Sequence, residues 1–210
     1  FALPLFALLA WWAGRGKPAL GWRDWRGIVW LGFTGYYMAS FLDFMGLQYI
    51  SASLERLILY LTPSAVLLLA WVLQGRRASG RQWAAMALAY FGLVLVFGHE
   101  LTLDGPRVAL GAALVVGSTL SYAVYLFSGG EVVQRIGPLR LTGWASAVAS
   151  ALCLLQFSLL RPLDGLAAIA PPVLWLSLLN GTLCTVLPVL MVMLAIARIG
   201  SGKAAQYGMV

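Results

Sequence analysis

Three charged side chains stand inside otherwise apolar sequence: Asp43, Glu55 and Arg56. Read with a helical period, Asp43 falls about two turns before a tight turn at Ile50–Ala52, and Glu55 and Arg56 fall about one turn after it. A hairpin through that turn sets Asp43 and Arg56 at similar depth on facing helices. A carboxylate at mid-bilayer costs roughly 2.5–3.5 kcal/mol on insertion scales, so intramembrane charges pair or serve transport. The pattern predicts an Asp43–Arg56 ion pair. Glu55 points ~100° away from Arg56 around the helix, so it is expected on another face and not paired with Arg56. The plainer reading is that Glu55 and Arg56 snorkel to the outer interface and only anchor the helix.

A second set is aromatic and weakly polar. Ser118, Tyr122 and Tyr125 are spaced four and three apart, which places them on one helix face beside Ser121. Tyr36 and Tyr37 come from one earlier segment and Tyr60 from the next. A cavity lined by these residues suits an organic substrate with an apolar body. The alternative is ordinary packing, with hydroxyls bonded back to their own helix. Pro63 and Pro188 interrupt helical sequence, and each frees the carbonyl four residues back, at Leu59 and Cys184. Those carbonyls either face a polar cavity or are satisfied at a kink by a neighbouring Thr or Ser.

The elements that position these residues are membrane helices. Of 210 residues, 61% are hydrophobic and 10% charged, where a soluble domain carries about 25% charge. Nine Trp and 23 Gly point the same way. Runs long enough to span fall at about Gly27–Tyr49, Ala52–Leu73, Val108–Phe127, Thr142–Leu160 and Pro172–Ala197; Trp83–Phe97 is short for a span and is read as extending towards Arg81 and His99, and shorter apolar runs lie at Phe1–Ala13 and from Lys203. Small residues crowd two of them, Ala84 to Gly92 and Ala145 to Ala151, which suits close helix packing. The chain starts at Phe1 inside one apolar run and stops at Val210 as another opens, so a fragment truncated at both ends is expected.

Charge sets the orientation. Eleven of the 14 basic residues fall in four loops on one side: Arg15, Lys17, Arg23 and Arg26; Arg76, Arg77 and Arg81; Arg135 and Arg140; Arg198 and Lys203. The other side holds Arg107 and Arg161, and Arg56 is the fourteenth. The positive-inside rule assigns the basic side to the cytoplasm. The net charge of +7 therefore reads as membrane orientation, and no nucleic-acid partner is expected.

An internal repeat is also present. A shift of 149 residues lays Gly32 on Gly181, Leu47 on Ile196, Ile50 on Ile199 and Ala52 on Ser201. Five segments separate the two matched turns, so the halves run in opposite senses. Inverted repeats recur in secondary transporters.

The run Gly46-Leu-Gln-Tyr-Ile-Ser-Ala-Ser-Leu-Glu-Arg-Leu-Ile-Leu-Tyr-Leu-Thr-Pro63, followed by Gln74-Gly-Arg-Arg77 and the helix from Trp83, resembles the EamA domain of the drug/metabolite transporter superfamily. Ser121-Tyr-Ala-Val-Tyr125, Thr185-Val-Leu-Pro188 and Ala195-Ile-Ala-Arg-Ile-Gly-Ser-Gly202 resemble a second copy. The resemblance implies an all-α integral membrane fold: a multi-spanning bundle of two inverted five-helix repeats, at 1–98 and 108–210. Ten helices are implied in the full protein, of which seven to eight are present here. It also implies cavity roles for Thr185 and Pro188. One departure is Gly75-Arg76-Arg77, where family members often carry an acidic residue.

The expected function is secondary transport of a small organic metabolite, an amino acid or drug-like amphiphile, across the inner or plasma membrane by alternating access. The alternative is a non-transport membrane protein, a passive channel or a structural subunit. No enzyme is expected. The sole histidine, His99, excludes an HExxH site, and Arg198-Ile-Gly-Ser-Gly-Lys203 fails as a P-loop because Ala197 and Ala204 stand where Gly and Ser/Thr are required. No cofactor or metal is expected; Cys153 and Cys184 sit apart in apolar runs. Expected partners are the lipid bilayer and a small-molecule substrate, with Asp43 or Glu55 available for proton coupling. With two acids to one base, that substrate is expected to be neutral, zwitterionic or cationic, and not a sugar phosphate.

Overall fold

A computed structural model of the chain describes residues 2–75, 79–97, 107–160 and 170–207. Every regular element among them is helical. The apolar helix α1, Ala2–Gly14, closes just before Gly16, whose φ of 72° no helix tolerates. Helix α2, Trp22–Gly32, opens at Gly21, whose N–H donates to Asp24 Oδ2 at 3.1 Å. That carboxylate suits the positive end of the helix, and the helix starts five residues before the expected Gly27. It continues without a break into a π-helical segment, Phe33–Met38, and then α3, Ala39–Gly46.

After the turn, α4 spans Ala52–Leu59, and its N-cap Ser51 accepts the Leu54 N–H at 3.3 Å. Helix α5, Thr62–Gln74, carries Pro63 in its first turn and ends on Gly75 with φ 66°. Helix α6 follows at Gly80–Phe97. Helix α7, Val108–Ile136, has 29 residues and stops at Gly137, φ 88°; α8, Pro138–Leu160, starts on the next residue. Helix α9, Pro171–Leu179, runs through a second π-helical segment, Asn180–Val186, into α10, Leu187–Ile199. Gly200, φ 82°, turns the chain into α11, Ser201–Tyr207.

Among the described residues, four helical stretches are long and apolar enough to cross a membrane: Ala52–Gln74, Val108–Ile136, Pro138–Leu160 and Pro171–Ile199. Helix α7 is about 43 Å long at 1.5 Å per residue, against a hydrocarbon core of about 30 Å. This corrects two expectations. The fifth segment does not end at Phe127, and Arg135 lies in its last helical turn, not in a loop. Nothing between Phe127 and Ile136 breaks a helix, so the chain projects past the core until Gly137 stops it. Arg76, Arg77, His99 and Arg161 lie outside the described residues.

The chain divides into two compact units, and each takes segments from both halves of the sequence. The first comprises Phe1–Tyr37 and Gly130–Arg198. In it α1 and α2 pack along α8. The α1–α8 approach is close: a Cβ on Gly143 would stand 2.7 Å from Ala10 Cβ. Phe6, Ala147 and Val189 form its buried cluster, with Tyr36 packed against it. Asp24 Oδ1 meets Arg135 Nε at 2.6 Å. The second unit comprises Met38–Gly129 and Ile199–Val210. Ile50, Leu54 and Ile58 of the hairpin pack on Val115 of α7. A Cβ on Gly46 would lie 2.5 Å from Val115 Cγ2, so only glycine fits that crossing. The hydroxyls of Ser64 and Tyr90 bond α5 to α6.

Leu159, Trp175 and Phe44 are 74%, 70% and 68% exposed. Apolar faces this exposed mark surfaces covered by a membrane or a partner, and the length and hydropathy of the four stretches favour the membrane. The chain is a multi-spanning α-helical membrane protein.

Candidate functional site

The charged group sits in the second unit. Ser51 starts α4 close to the turn, and the buried face of that helix then carries Leu54, Glu55 and Ile58. The Glu55 side chain is only 4% exposed, and its Oε2 lies 3.3 Å from Arg56 Nε. This corrects the expectation that the adjacent pair stays apart. Directions at Cβ do diverge by ~100°, but the Arg56 stem is long enough to fold back, and its side chain remains 63% exposed. Asp43, half-buried on α3, has Coulombic contact with Arg56 and lies within hydrogen-bonding reach of Glu55. Its Oδ1 is buried with no hydrogen-bond partner. The three residues thus form one group in which the guanidinium is shared, with Glu55 its closest partner.

Ser118, on the expected face of α7, is buried and donates to the Ala39 carbonyl at 2.7 Å. Its hydroxyl ties α7 to the start of α3. Tyr125 is buried and Tyr122 half-buried, and their rings stack 5.6 Å apart. Pro63 is buried, and the Leu59 carbonyl accepts the Thr62 hydroxyl at 2.6 Å. Of the two readings of that carbonyl, the satisfied kink holds. Pro at the first turn of α5 removes an N–H that would have no intrahelical partner. Tyr60 is half-buried in the short break between α4 and α5.

The remaining expected residues belong to the first unit. Tyr36 and Tyr37 are half-buried in the first π-helical segment. Thr185 lies in the second, where its hydroxyl donates to the Asn180 carbonyl five residues back at 3.0 Å. Thr182 likewise donates to the Leu178 and Leu179 carbonyls at 2.9 and 3.1 Å. The Leu187 N–H reaches the Thr182 carbonyl, again five residues back. These bonds satisfy a widened turn directly before Pro188, which is exposed. In the first segment Thr34 donates to the Trp30 carbonyl at 2.8 Å.

Sequence reasoning missed several buried hydroxyls. Thr119 donates to the Val115 carbonyl at 2.9 Å and reaches the Ile58 carbonyl at 3.4 Å, linking α7 to α4. Thr142 and Ser146, one turn apart on α8, are buried with unpartnered side-chain oxygens. Both interrupt a run of small apolar residues, which was the available signal.

Helices of this length and hydropathy define a polytopic membrane protein. Residues 1–98 match the EamA-like transporter family. The chain is 28% identical over 178 residues to the uncharacterized transporter YcbK of Bacillus subtilis, covering 83% of this chain and 57% of that protein. It is 24% identical over 204 residues to an uncharacterized transporter of Archaeoglobus fulgidus, covering 97% of this chain and 69% of the relative. A solved crystal structure superposes with a TM-score of 0.63 at 21% identity, covering 99% of this chain and 67% of the other. The chain thus spans a little over half the length of its Bacillus relative. Family and relatives together support a membrane transporter in general.

Proposed function

We propose that this protein is a secondary transporter working by alternating access between two inverted repeats, 1–98 and 108–210. The observation that carries the reading is the pair of π-helical segments. The 149-residue shift lays Phe33–Met38 on Thr182–Leu187, which overlaps the second segment from Thr182 to Val186. Single π turns inside α-helices are costly and concentrate at functional sites. One at matched positions in each half gives each repeat its own point of bending, as alternating access requires.

The substrate proposed is a small organic molecule with an apolar body, neutral, zwitterionic or cationic. Asp43 and Glu55 outnumber Arg56, Glu55 engages the guanidinium, and Asp43 Oδ1 has no partner. A dianionic phosphate would meet net negative charge there. A hydrogen bond between two carboxyl groups holds one proton, so the same pair supplies the proposed proton coupling. The basic loops face the cytoplasm of the inner or plasma membrane in this reading.

The test is flux into proteoliposomes, comparing hydrophobic amino acids and amphiphilic cations with phosphorylated sugars, with and without a pH gradient. Saturable uptake of the first two classes, driven by the gradient and lost in Asp43→Asn, is the expected result. Flux that rises linearly with concentration would favour a passive channel, and preference for phosphorylated sugars would defeat the charge argument.

A further inference from the structure

The first unit carries an open apolar groove of about 600 Å³ outside the group just described. Leu5, Leu8, Leu9 and Trp12 of α1 form one wall, and Val186 and Leu190 stand opposite. Two of its side chains carry a polar group: Thr182, whose hydroxyl donates to the Leu178 and Leu179 carbonyls, and Trp12, whose indole bears an N–H donor at the end of the groove nearest Gly14. Along the Leu5–Leu9 stretch a polar metabolite would find no side-chain donor or acceptor on the α1 wall, and its own polar groups would be stranded. The occupant is hydrocarbon.

Length and charge identify which hydrocarbon. Leu5 to Trp12 rises about 10 Å along the helix, most of one leaflet's share of a hydrocarbon core about 30 Å thick. The groove ends beside Trp11 and Trp12, both more than half exposed, as aromatic side chains are at the headgroup level. Arg15, in the turn directly after α1, follows Leu5, Leu8 and Trp12 at spacings of three, four and three, and its guanidinium lies 3.7 Å from the Trp11 ring centroid. Lys17 is two residues on. The sequence holds no acid before Asp24, and Asp24 is engaged by Arg135. The geometry points to a site for one anionic phospholipid, with an acyl chain in the groove and the phosphate at Arg15 and Lys17.

The test is native mass spectrometry of the chain in detergent, titrated with phosphatidylglycerol and with phosphatidylcholine of identical acyl chains. Phosphatidylglycerol is expected to be retained preferentially, by roughly fivefold for each basic residue near an anionic headgroup. The double variant Arg15→Gln, Lys17→Gln should bring the ratio to about one and leave phosphatidylcholine unchanged. Leu8→Trp and Leu187→Trp, both at exposed positions, should lower retention of both lipids by narrowing the groove. Equal retention of the two lipids by the parent protein would overturn the headgroup assignment. Unchanged retention in both groove variants would overturn the site. So would a lipid-free dimer that Leu8→Trp dissociates, because the occupant would then be a second copy.

Discussion

Replacing Arg56 by Gln removes the cation that two carboxyl groups share. The Glu55 side chain is 4% exposed and cannot recruit water in its place, while Asp43 brings a second acid to the same spot. Removing one partner of a fully buried ion pair costs about 3–5 kcal/mol. The Arg56 side chain is 63% exposed, and exposed pairs are worth only about 0–1 kcal/mol. With one end of the pair buried and the other open, the cost expected for Arg56→Gln is about 1–3 kcal/mol. For a chain of this size that lowers Tm by roughly 2–12 °C. Glu55→Gln in the Arg56→Gln background removes the stranded charge and should recover at least half of the loss. Asp43→Asn in that background should also raise Tm, since it leaves one acid where two faced each other. Thermal unfolding in detergent, followed by intrinsic fluorescence or static light scattering, reads these three variants together with Glu55→Gln and Asp43→Asn alone, which close the cycles. Effects that add to within about 0.5 kcal/mol would mean that the three side chains are independent and would sink the shared-guanidinium account.

Gly143→Ala places a Cβ 2.7 Å from Ala10 Cβ, so it should cost about 1–3 kcal/mol by overpacking α1 against α8. Gly92→Ala, with no neighbouring atom within 4 Å, should instead raise Tm through up to about 1 kcal/mol of helix propensity; equal signs in the two melting curves would refute the packing argument. Asp24→Asn weakens both the Arg135 contact and the Gly21 N–H bond, and an expected loss of roughly 0.5–2 kcal/mol, typical of a helix N-terminal cap, is read by the same melt. In a background with Cys153 and Cys184 replaced by Ser, a membrane-impermeant maleimide added outside intact cells should label Arg107→Cys and spare Lys17→Cys; the reverse pattern would invert the topology.

The helices were legible because bilayer length and apolar runs constrain each other so tightly. Ends were less legible, since they depend on single residues. Asp24 pulls the start of α2 outward by holding the Gly21 N–H, and α7 runs on to Gly137 because Gly129 and Gly130 do not stop a helix that has no loop residue to end it. The break at Thr62–Pro63 was visible as a proline. Its outcome was decided by the neighbouring hydroxyl, which reaches the Leu59 carbonyl before any cavity can use it.

The candidate site shows where spacing arguments stop. Hairpin depth brought Asp43 near Arg56, while helical period set Glu55 on another face, where it in fact meets both. Period describes Cβ directions, however, and a guanidinium at the end of a long flexible stem is not bound by them, so Arg56 folds onto its own neighbour. The π-helical segments were hidden for a related reason. A widened turn needs carbonyl acceptors satisfied from five residues away, and Thr185 does this for Asn180 with a side chain that looks unremarkable in sequence. The repeat offset nevertheless carried the signal: it aligned Gly32 with Gly181, at the margin of both segments, on identity alone. Two departures from α geometry that overlay at this offset support the proposed repeat, because chance identity has no reason to coincide with a shared distortion.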